Sequence, residues 1–307
     1  MNLHLDLKLT QAESNKLNIS VNPNGSGDFK TITEAINSIP APNNRRVIVF
    51  IATNVYREKI VIPQSLPFVT FLGDATKMPT ITGNNKASTI GSDGKKLGTL
   101  NSATVAVNAD YFMAINVIFQ NTASPRIGSN EDQAVALRTS GNKSAFYNCR
   151  FHGFQDTLYD HNGLHYFKGC YIQGTVDFIF GHGRSLYEGC TIESIAQNLG
   201  FITAQERSSV SMESGFSITN SKVLGSGQVY LGRPWGPYSR VIYSYTNMNN
   251  IILPQGWDDT MNAQNSSLTA YYGEYKCSGP GSNLARRPPW ANCAICNMDT
   301  YLDEEPQ

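Results

Sequence analysis

Two aspartates, two glutamines and one arginine are the residues whose types and spacing suggest chemistry. Asp156 and Asp177 stand among aromatic residues, separated by about 20 residues, which is the length of a short structural repeat. Gln133 and Gln155 have nearly the same separation. When two carboxyl groups lie close together in apolar surroundings, one can stay protonated as an acid while a cation keeps the other ionised as nucleophile or base. Arg233 is the candidate cation, and glutamine NH2 groups can stabilise an oxyanion, so the set predicts acyl transfer.

The same residues also fit a purely structural interpretation. In a repetitive β-fold, aspartates one repeat apart can cap turns by accepting hydrogen bonds from backbone amides. Arg233 stands two residues before Trp235, and an arginine beside a tryptophan is often a packed surface pair. The spacing alone leaves both interpretations open.

The chain lacks the common motifs of other catalytic sites. It contains no G-x-S-x-G, G-x-G-x-x-G, Walker or H-E-x-x-H motif. His161 and His165 stand at positions i and i+4, but they would share a face only on a helix, which this stretch does not predict. Cys293 and Cys296 have the spacing of a metal or redox site, yet with only Cys277 near them in sequence they fit disulfides better. We predict no metal and no cofactor.

A short repeat must position these side chains. Cys149, Cys170 and Cys190 recur with a period of about 20 residues, within "AFYNCRFHG", "YFKGCYIQG" and "LYEGCTIES". A short apolar strand and a turn at this period predict an all-β solenoid, a right-handed parallel β-helix. Residues one coil apart then stack about 4.8 Å from each other. The period therefore brings the two aspartates and the two glutamines together on one face.

The cysteines and the glycosylation motifs indicate an oxidising environment. A separation of about 4.8 Å lies within the Cα range of a disulfide, so we expect at least one disulfide among Cys149, Cys170 and Cys190. Six cysteines in the whole chain allow several pairings. Four Asn-x-Ser/Thr motifs are compatible with secretion, at Asn18, Asn24, Asn142 and Asn265.

A helix and an irregular tail flank the repeat. The segment "DFKTITEAINSIP" predicts an amphipathic helix that ends at Pro40 and covers one open end of the solenoid. Its apolar face consists of Ile32, Ala35, Ile36 and Ile39. Its capping box consists of Thr31 and Glu34. The predicted domains are an N-terminal arm (1–17), the β-helix domain (18–276) and an irregular cysteine-containing tail (277–307).

Composition excludes several classes of protein. The 307 residues include 24 Lys and Arg against 24 Asp and Glu, and this balance gives no indication of binding to nucleic acid or an anionic membrane. No apolar run reaches the roughly 18 residues that a membrane span needs. The opening segment "MNLHLDLKLTQAESNKLNIS" contains no apolar stretch typical of a signal peptide, so none is predicted within this sequence.

Five motifs, in order along the chain, resemble the plant pectin methylesterases. They are "YREK" (56–59), "QAVALR" (133–138), "FQDTLY" (154–159), "GTVDFIFG" (174–181) and "LGRPW" (231–235). The resemblance implies a right-handed parallel β-helix that hydrolyses the C6 methyl ester of homogalacturonan without metal or cofactor. It implies Asp177 as nucleophile, Asp156 as general acid and base, Gln133 and Gln155 as oxyanion donors, and Arg233 as the cation that keeps Asp177 ionised.

The resemblance also implies surroundings for the enzyme. Tyr159, Phe180, Trp235 and Trp257 match the family's substrate cleft, where aromatic rings stack on sugars. We expect a secreted monomer of the plant cell wall, with pectin as substrate and a small helical-bundle inhibitor protein as a possible partner. The sequence fits the pollen-expressed members best, whose relatives include allergens.

The sequence departs from the family pattern at several places. Asn54 replaces a glycine, and residues 84–100 form a longer loop without the usual aromatic residue. Asp160 and Leu164 replace an apolar residue and an arginine, which bears on how galacturonate is bound. Two alternatives are a pectate-lyase-like enzyme, which would need calcium and a basic residue, and a catalytically silent pectin-binding protein. Both aspartates are present, which favours the esterase.

Overall fold

Short parallel strands dominate the computed structural model, which describes residues 6–125, 132–258 and 269–291. Three short helices lie among them, and two short 3-10 helices follow the last strand. No helix in these three ranges is long and apolar enough to cross a membrane.

The elements are numbered along the chain. The α-helices are α1 (Leu7–Ser14), α2 (Ile32–Asn37) and α3 (Gly98–Ser102), and the 3-10 helices are Pro280–Ser282 and Leu284–Arg286. The strands are β1 (Leu17–Val21), β2 (Val47–Ile51), β3 (Val55–Arg57), β4 (Ile60–Ile62), β5 (Val69–Leu72), β6 (Thr80–Gly83), β7 (Val105–Val107), β8 (Met113–Ile115), β9 (Ile118–Asn121), β10 (Leu137–Thr139), β11 (Ser144–Tyr147), β12 (Arg150–His152), β13 (Leu158–Asp160), β14 (Leu164–Lys168), β15 (Tyr171–Gly174), β16 (Ile179–Gly181), β17 (Arg184–Glu188), β18 (Thr191–Gln205), β19 (Gly215–Thr219), β20 (Lys222–Pro234), β21 (Arg240–Ser244), β22 (Asn247–Met248) and β23 (Tyr271–Tyr275).

The strands wind into the predicted right-handed parallel β-helix. One sheet has ten strands in the order β1-β2-β5-β8-β11-β14-β17-β19-β21-β23, so each strand pairs with its equivalent from the next coil. The remaining strands form a single sheet of 13 strands. They are joined into one sheet because β18 is long enough to pair with β15 through its first half and with β16 through its second. All ladders between these strands are parallel, which requires crossover connections that are right-handed in nearly all proteins. The fold class predicted from the repeat is therefore confirmed.

Aromatic stacking fills the interior of the solenoid. Phe146, Phe167 and Tyr187 are fully buried at equivalent positions of β11, β14 and β17. Their ring centroids are 4.8 Å and 4.6 Å apart, with interplanar angles of 7° and 3°. The parallel register thus converts a repeated aromatic position in the sequence into a continuous stack.

Helix α2 forms as the sequence predicts. Thr31 and Glu34 form the capping box, and the helical residues end at Asn37 before Pro40. The carboxylate of Glu58 also accepts hydrogen bonds from the backbone of Ile32 and Thr33, at 3.0 and 2.8 Å. The helix packs against β1 and β4 at the start of the solenoid, where it covers the first coils.

The cysteines of the repeat are free thiols, so the predicted disulfide among Cys149, Cys170 and Cys190 is wrong. The three side chains point inwards in the same direction on successive coils. Each sulfur lies 3.4 Å from a backbone carbonyl of the preceding coil, at Ala114, Phe146 and Phe167 respectively. Suitable spacing was therefore not sufficient, because a disulfide also needs a specific geometry of the two Cβ–S bonds.

The C-terminal segment is anchored on the last coil. Arg287 donates to Glu274 of β23 through Nε at 2.6 Å and Nη2 at 2.9 Å, and both side chains are almost completely buried. Residues 292–307, including Cys293 and Cys296, and Asn265 lie outside the described residues, so the predicted disulfides of the tail stay predictions.

Candidate active site

Asp156 and Asp177 occupy equivalent turns on neighbouring coils. Each stands two residues before a short strand, β13 or β16, and these strands pair in register through Leu158 and Ile179. Both residues have a left-handed backbone, with φ of 63° and 51°. Non-glycine residues rarely adopt this conformation, although aspartate tolerates it, and such outliers cluster at functional sites. The coil spacing thus placed the two carboxyl groups together, as predicted.

Arg233 binds both carboxylate oxygens of Asp177 through one edge of its guanidinium. Its Nε donates to Oδ1 at 2.8 Å, and its Nη2 donates to Oδ2. The guanidinium lies over the ring of Phe201, 4.3 Å from the centroid, and near Trp235. Arg233 is on β20, which pairs with β18, and β18 pairs with β16. The ion pair therefore joins residues separated by two strand steps, as the sequence suggested.

The two carboxyl groups have different electrostatic surroundings. Burial raises the pKa of Asp156 well above its usual value, and the charges of Asp177 and Glu206 raise it further. Burial also raises the pKa of Asp177, but there the hydrogen bonds and charge of Arg233 oppose it directly. Asp156 is therefore the better proton donor, and Asp177 the better carboxylate.

A cavity brings most of the predicted site residues together. It is lined by Thr99, Gln133, Gln155, Asp156, Tyr159, Asp177, Phe180, Ala204, Glu206 and Trp235. Amide groups, a buried acid and a charged carboxylate thus share one space. This set can donate hydrogen bonds, deliver a proton and attack an electrophilic carbon.

Aromatic side chains form part of the cavity wall. Tyr159 and Phe180 stack with centroids 4.2 Å apart, because β13 and β16 pair them directly. Trp235 is 53% exposed, which leaves its ring available to a ligand. Trp257 differs from the prediction: it is only 2% exposed, packs against Tyr272 and donates its Nε1 hydrogen to Glu274. Trp257 is therefore a core residue and lines no part of this cavity.

Glu206 and His182 lie at the site but were not predicted from the sequence. Glu206 lines the cavity directly after β18, and His182 Nδ1 lies 3.1 Å from its Oε2. Burial and the charge of Asp177 raise the pKa of Glu206 to about 7. His182 stands one coil period after His161, so the period was available as a signal. Glu206 gave no such signal, because β18 and its turn make that coil longer.

Asp160 and the nearby histidines His161 and His165 do not line the cavity. Asp160 is fully buried and binds His165 Nδ1 at 2.5 Å and the hydroxyl of Tyr187 at 2.6 Å. His161 Nδ1 lies 2.9 Å from Ser140 Oγ instead. Within the three described ranges, no group of three or more His, Cys, Asp or Glu side chains is arranged to hold a metal ion. Asp160 thus serves the interior rather than the cavity.

Comparisons with known proteins agree on one family. The family model described as Pectinesterase matches residues 18–303. Putative pectinesterase 63 of Arabidopsis thaliana is 46% identical over 272 residues, covering 88% of this chain and 78% of that protein. Pectinesterase QRT1 of the same plant is 44% identical, covering 89% and 72%.

Solved structures of similar fold carry related descriptions. Pectin methylesterase from carrot has a TM-score of 0.84 at 34% identity, covering 92% of this chain and 90% of that one. A pectin methylesterase in complex with hexasaccharide VII has a TM-score of 0.79 at 28% identity, covering 94% and 96%.

Proposed function

Because the chain belongs to the pectinesterase family and is a carboxylic ester hydrolase, we propose that Asp177 is its nucleophile and Asp156 its general acid and base. The substrate is pectin, and the reaction hydrolyses the C6 methyl esters of homogalacturonan to methanol and free carboxylate. One observation carries the assignment: both carboxylate oxygens of Asp177 accept hydrogen bonds from Arg233, while Asp156, one coil away, is buried without that partner.

The first half of the reaction forms an acyl-enzyme. An Oδ atom of Asp177 attacks the ester carbonyl carbon, and the NH2 groups of Gln133 and Gln155 donate to the oxyanion that develops. Asp156 then gives its proton to the departing methoxy oxygen, so methanol leaves. The product of this half is an anhydride between Asp177 and the sugar carboxyl, with Asp156 ionised.

The second half regenerates both aspartates. The Asp156 carboxylate takes a proton from water, and the resulting hydroxide attacks the sugar carbonyl carbon of the anhydride. The bond to Asp177 breaks, and Arg233 holds the restored carboxylate. The sugar leaves as galacturonic acid, which releases its carboxyl proton to solvent, and Asp156 is again protonated. Arg233 thus stabilises the leaving group of this step as well as the nucleophile of the first.

Aromatic rings position the polymer. Tyr159 and Phe180 present a stacked pair beside the reacting groups, and Trp235 extends the wall. Flat apolar rings match the apolar faces of sugars, while the few polar groups fix orientation. We assign Tyr159, Phe180 and Trp235 to substrate binding and leave Trp257 out.

The family assignment also supports a location and a partner. Because pectin is the substrate, we place the enzyme outside the cell, in the plant wall. We also propose that it is a monomer. A helical-bundle inhibitor protein that covers the cleft is the protein partner. Methanol release unchanged by micromolar inhibitor at mildly acidic pH would remove this partner from the proposal.

Methanol release from highly methylated pectin tests the activity. We expect release that is unaffected by EDTA, with no unsaturated sugar product. Loss of activity in EDTA together with unsaturated products would favour the lyase alternative. Retention of pectin binding without methanol release would favour the silent binding protein.

A further inference from the structure

Glu206 is a third carboxyl group in the catalytic cavity, and the mechanism above does not use it. It lines the cavity with Asp156 and Asp177. Its side chain is 23% exposed, so it is shielded from bulk water yet reachable by a ligand. Its charge is also close enough to raise the pKa of Asp156 and Tyr159. A ligand in the cavity therefore meets this carboxyl group.

The position of Glu206 is fixed by its neighbours. Its backbone N–H donates to Gly181 at 2.9 Å, and His182 Nδ1 lies 3.1 Å from Oε2. The preceding residue, Gln205, is fully buried and binds Ser214 Oγ at 2.6 Å. Groups held this firmly act at a defined place, as specificity requires.

The charges around Glu206 favour a neutral ligand. The titratable groups that face it are His182, Asp156, Asp177 and Tyr159. The charge of the Arg233 guanidinium is already paired with the carboxylate of Asp177, through Nε and Nη2. A carboxylate of the polymer placed here would thus approach a second carboxylate, whereas a methyl ester carries no charge.

We propose that Glu206, oriented by His182, is a specificity-determining residue that favours a methyl-esterified sugar over a de-esterified one at the part of the cleft it faces. This inference rests on the proposed function, since it concerns the same cavity and polymer. It gives the enzyme a means to reject polymer that has already been hydrolysed next to the reacting unit.

The preference depends on pH. Burial and Asp177 raise the pKa of Glu206 to about 7, and burial lowers the pKa of His182. Below pH 7 the Glu206 carboxyl is mostly protonated and does not repel a carboxylate. As pH rises through about 7 it ionises, so discrimination between esterified and de-esterified sugars strengthens.

Kinetics on two substrates test the proposal. We would measure kcat and KM for homogalacturonan oligomers of high and of low methylation, at pH 6 and pH 8. We expect the ratio of kcat/KM values, high over low, to rise at least about threefold between these pH values in the wild type, mainly through KM. In Glu206→Gln the ratio should stay constant, and His182→Gln should alter its pH midpoint.

The control is Glu213→Gln, which removes the same charge from a side chain that is 80% exposed and paired with Arg184. It should behave like the wild type. An unchanged pH response in Glu206→Gln, or an equal change in Glu213→Gln, would overturn the proposal. So would a large fall in kcat on both substrates in Glu206→Gln, since that would assign Glu206 to the chemistry. A wild type without methanol release would instead contradict the proposed function.

Discussion

At the scale of single residues, identical side chains take different roles because their neighbours differ. Asp156 and Asp177 have equivalent turns and similar burial, at 7% and 3% exposure. Of these two carboxyl groups, Asp177 is the one that accepts hydrogen bonds from Arg233. In a water-poor site this one ion pair decides which carboxyl is charged and which carries a proton.

The role of Asp156 predicts how activity depends on pH. Its raised pKa keeps the acid form present above the usual range of an aspartate, and the first step needs that proton. Activity should therefore fall as pH rises through the raised pKa. Asp156→Asn should lose roughly 10²- to 10⁴-fold in kcat, and its remaining activity should lack this descending limb. Methanol release measured across pH checks both; a mutant that keeps the descending limb would assign it to another group.

How far the sequence could predict the site depended on the coil period. The period was regular from Gln133 to Asp177, and it correctly brought the aspartates together. The coil that contains β18 is longer than this period, so the period did not predict Glu206 as a site residue. Trp257 was assigned to the cleft by motif alone, and motifs do not distinguish an exposed ring from one that packs on Tyr272.

At the scale of elements, the strands hold the catalytic turns in place through the stacked interior. Phe167 lies between Phe146 and Tyr187 on adjacent strands of the ten-stranded sheet. The turn that carries Asp177 is closely packed too, because a Cβ on Gly174 would lie 2.2 Å from Cβ of Phe178. A change in packing here would therefore shift the residues of the catalytic turns.

Removal of the central ring tests this packing. Phe167→Ala should lower the free energy of unfolding by about 3 to 5 kcal/mol, because a fully buried ring leaves a cavity. Phe167→Leu is the control and should lose less, since it retains most of the apolar volume. Urea unfolding followed by circular dichroism measures both. Equal losses in the two variants would contradict an account based on ring volume and stacking.

Element geometry also explains why the disulfide prediction failed. The spacing of Cys149, Cys170 and Cys190 can be read from the sequence and suits a bridge. The direction of each Cβ cannot be read from the sequence. The parallel register makes this direction the same on every coil. Each thiol donates to a carbonyl of the preceding coil, and the thiols of Cys170 and Cys190 also interact with each other without forming a bridge.

At the scale of the whole molecule, the ends of the solenoid need covers. Coils stabilise each other through neighbouring contacts, so an uncovered end would expose apolar side chains and unpaired strand edges. Helix α2 covers the start, as the amphipathic pattern predicted. The cover at the other end depends on the buried pair of Arg287 and Glu274, which no local pattern in the sequence indicated.

Loss of that pair should loosen the C-terminal end. Arg287→Ala leaves Glu274 buried without its cation and should cost about 3 to 5 kcal/mol of stability. Arg286→Ala, at the exposed neighbouring residue, is the matched control and should cost little. Thermal unfolding and hydrogen exchange in β23 check the prediction. Similar effects of the two substitutions would show that the ion pair does not anchor the segment.

The nucleophile assignment is the central claim, and kcat of Asp177→Asn for methanol release tests it most directly. The substitution keeps the shape and removes the attacking carboxylate, so we expect a fall of several orders of magnitude while pectin binding and circular dichroism stay as in the wild type. Asp93→Asn, in an exposed loop, should retain full activity as the control. If Asp177→Asn kept more than about a tenth of the wild-type kcat, it would have lost less than about 1.4 kcal/mol of transition-state stabilisation. That result would contradict Asp177 as nucleophile and leave the two aspartates a structural pair.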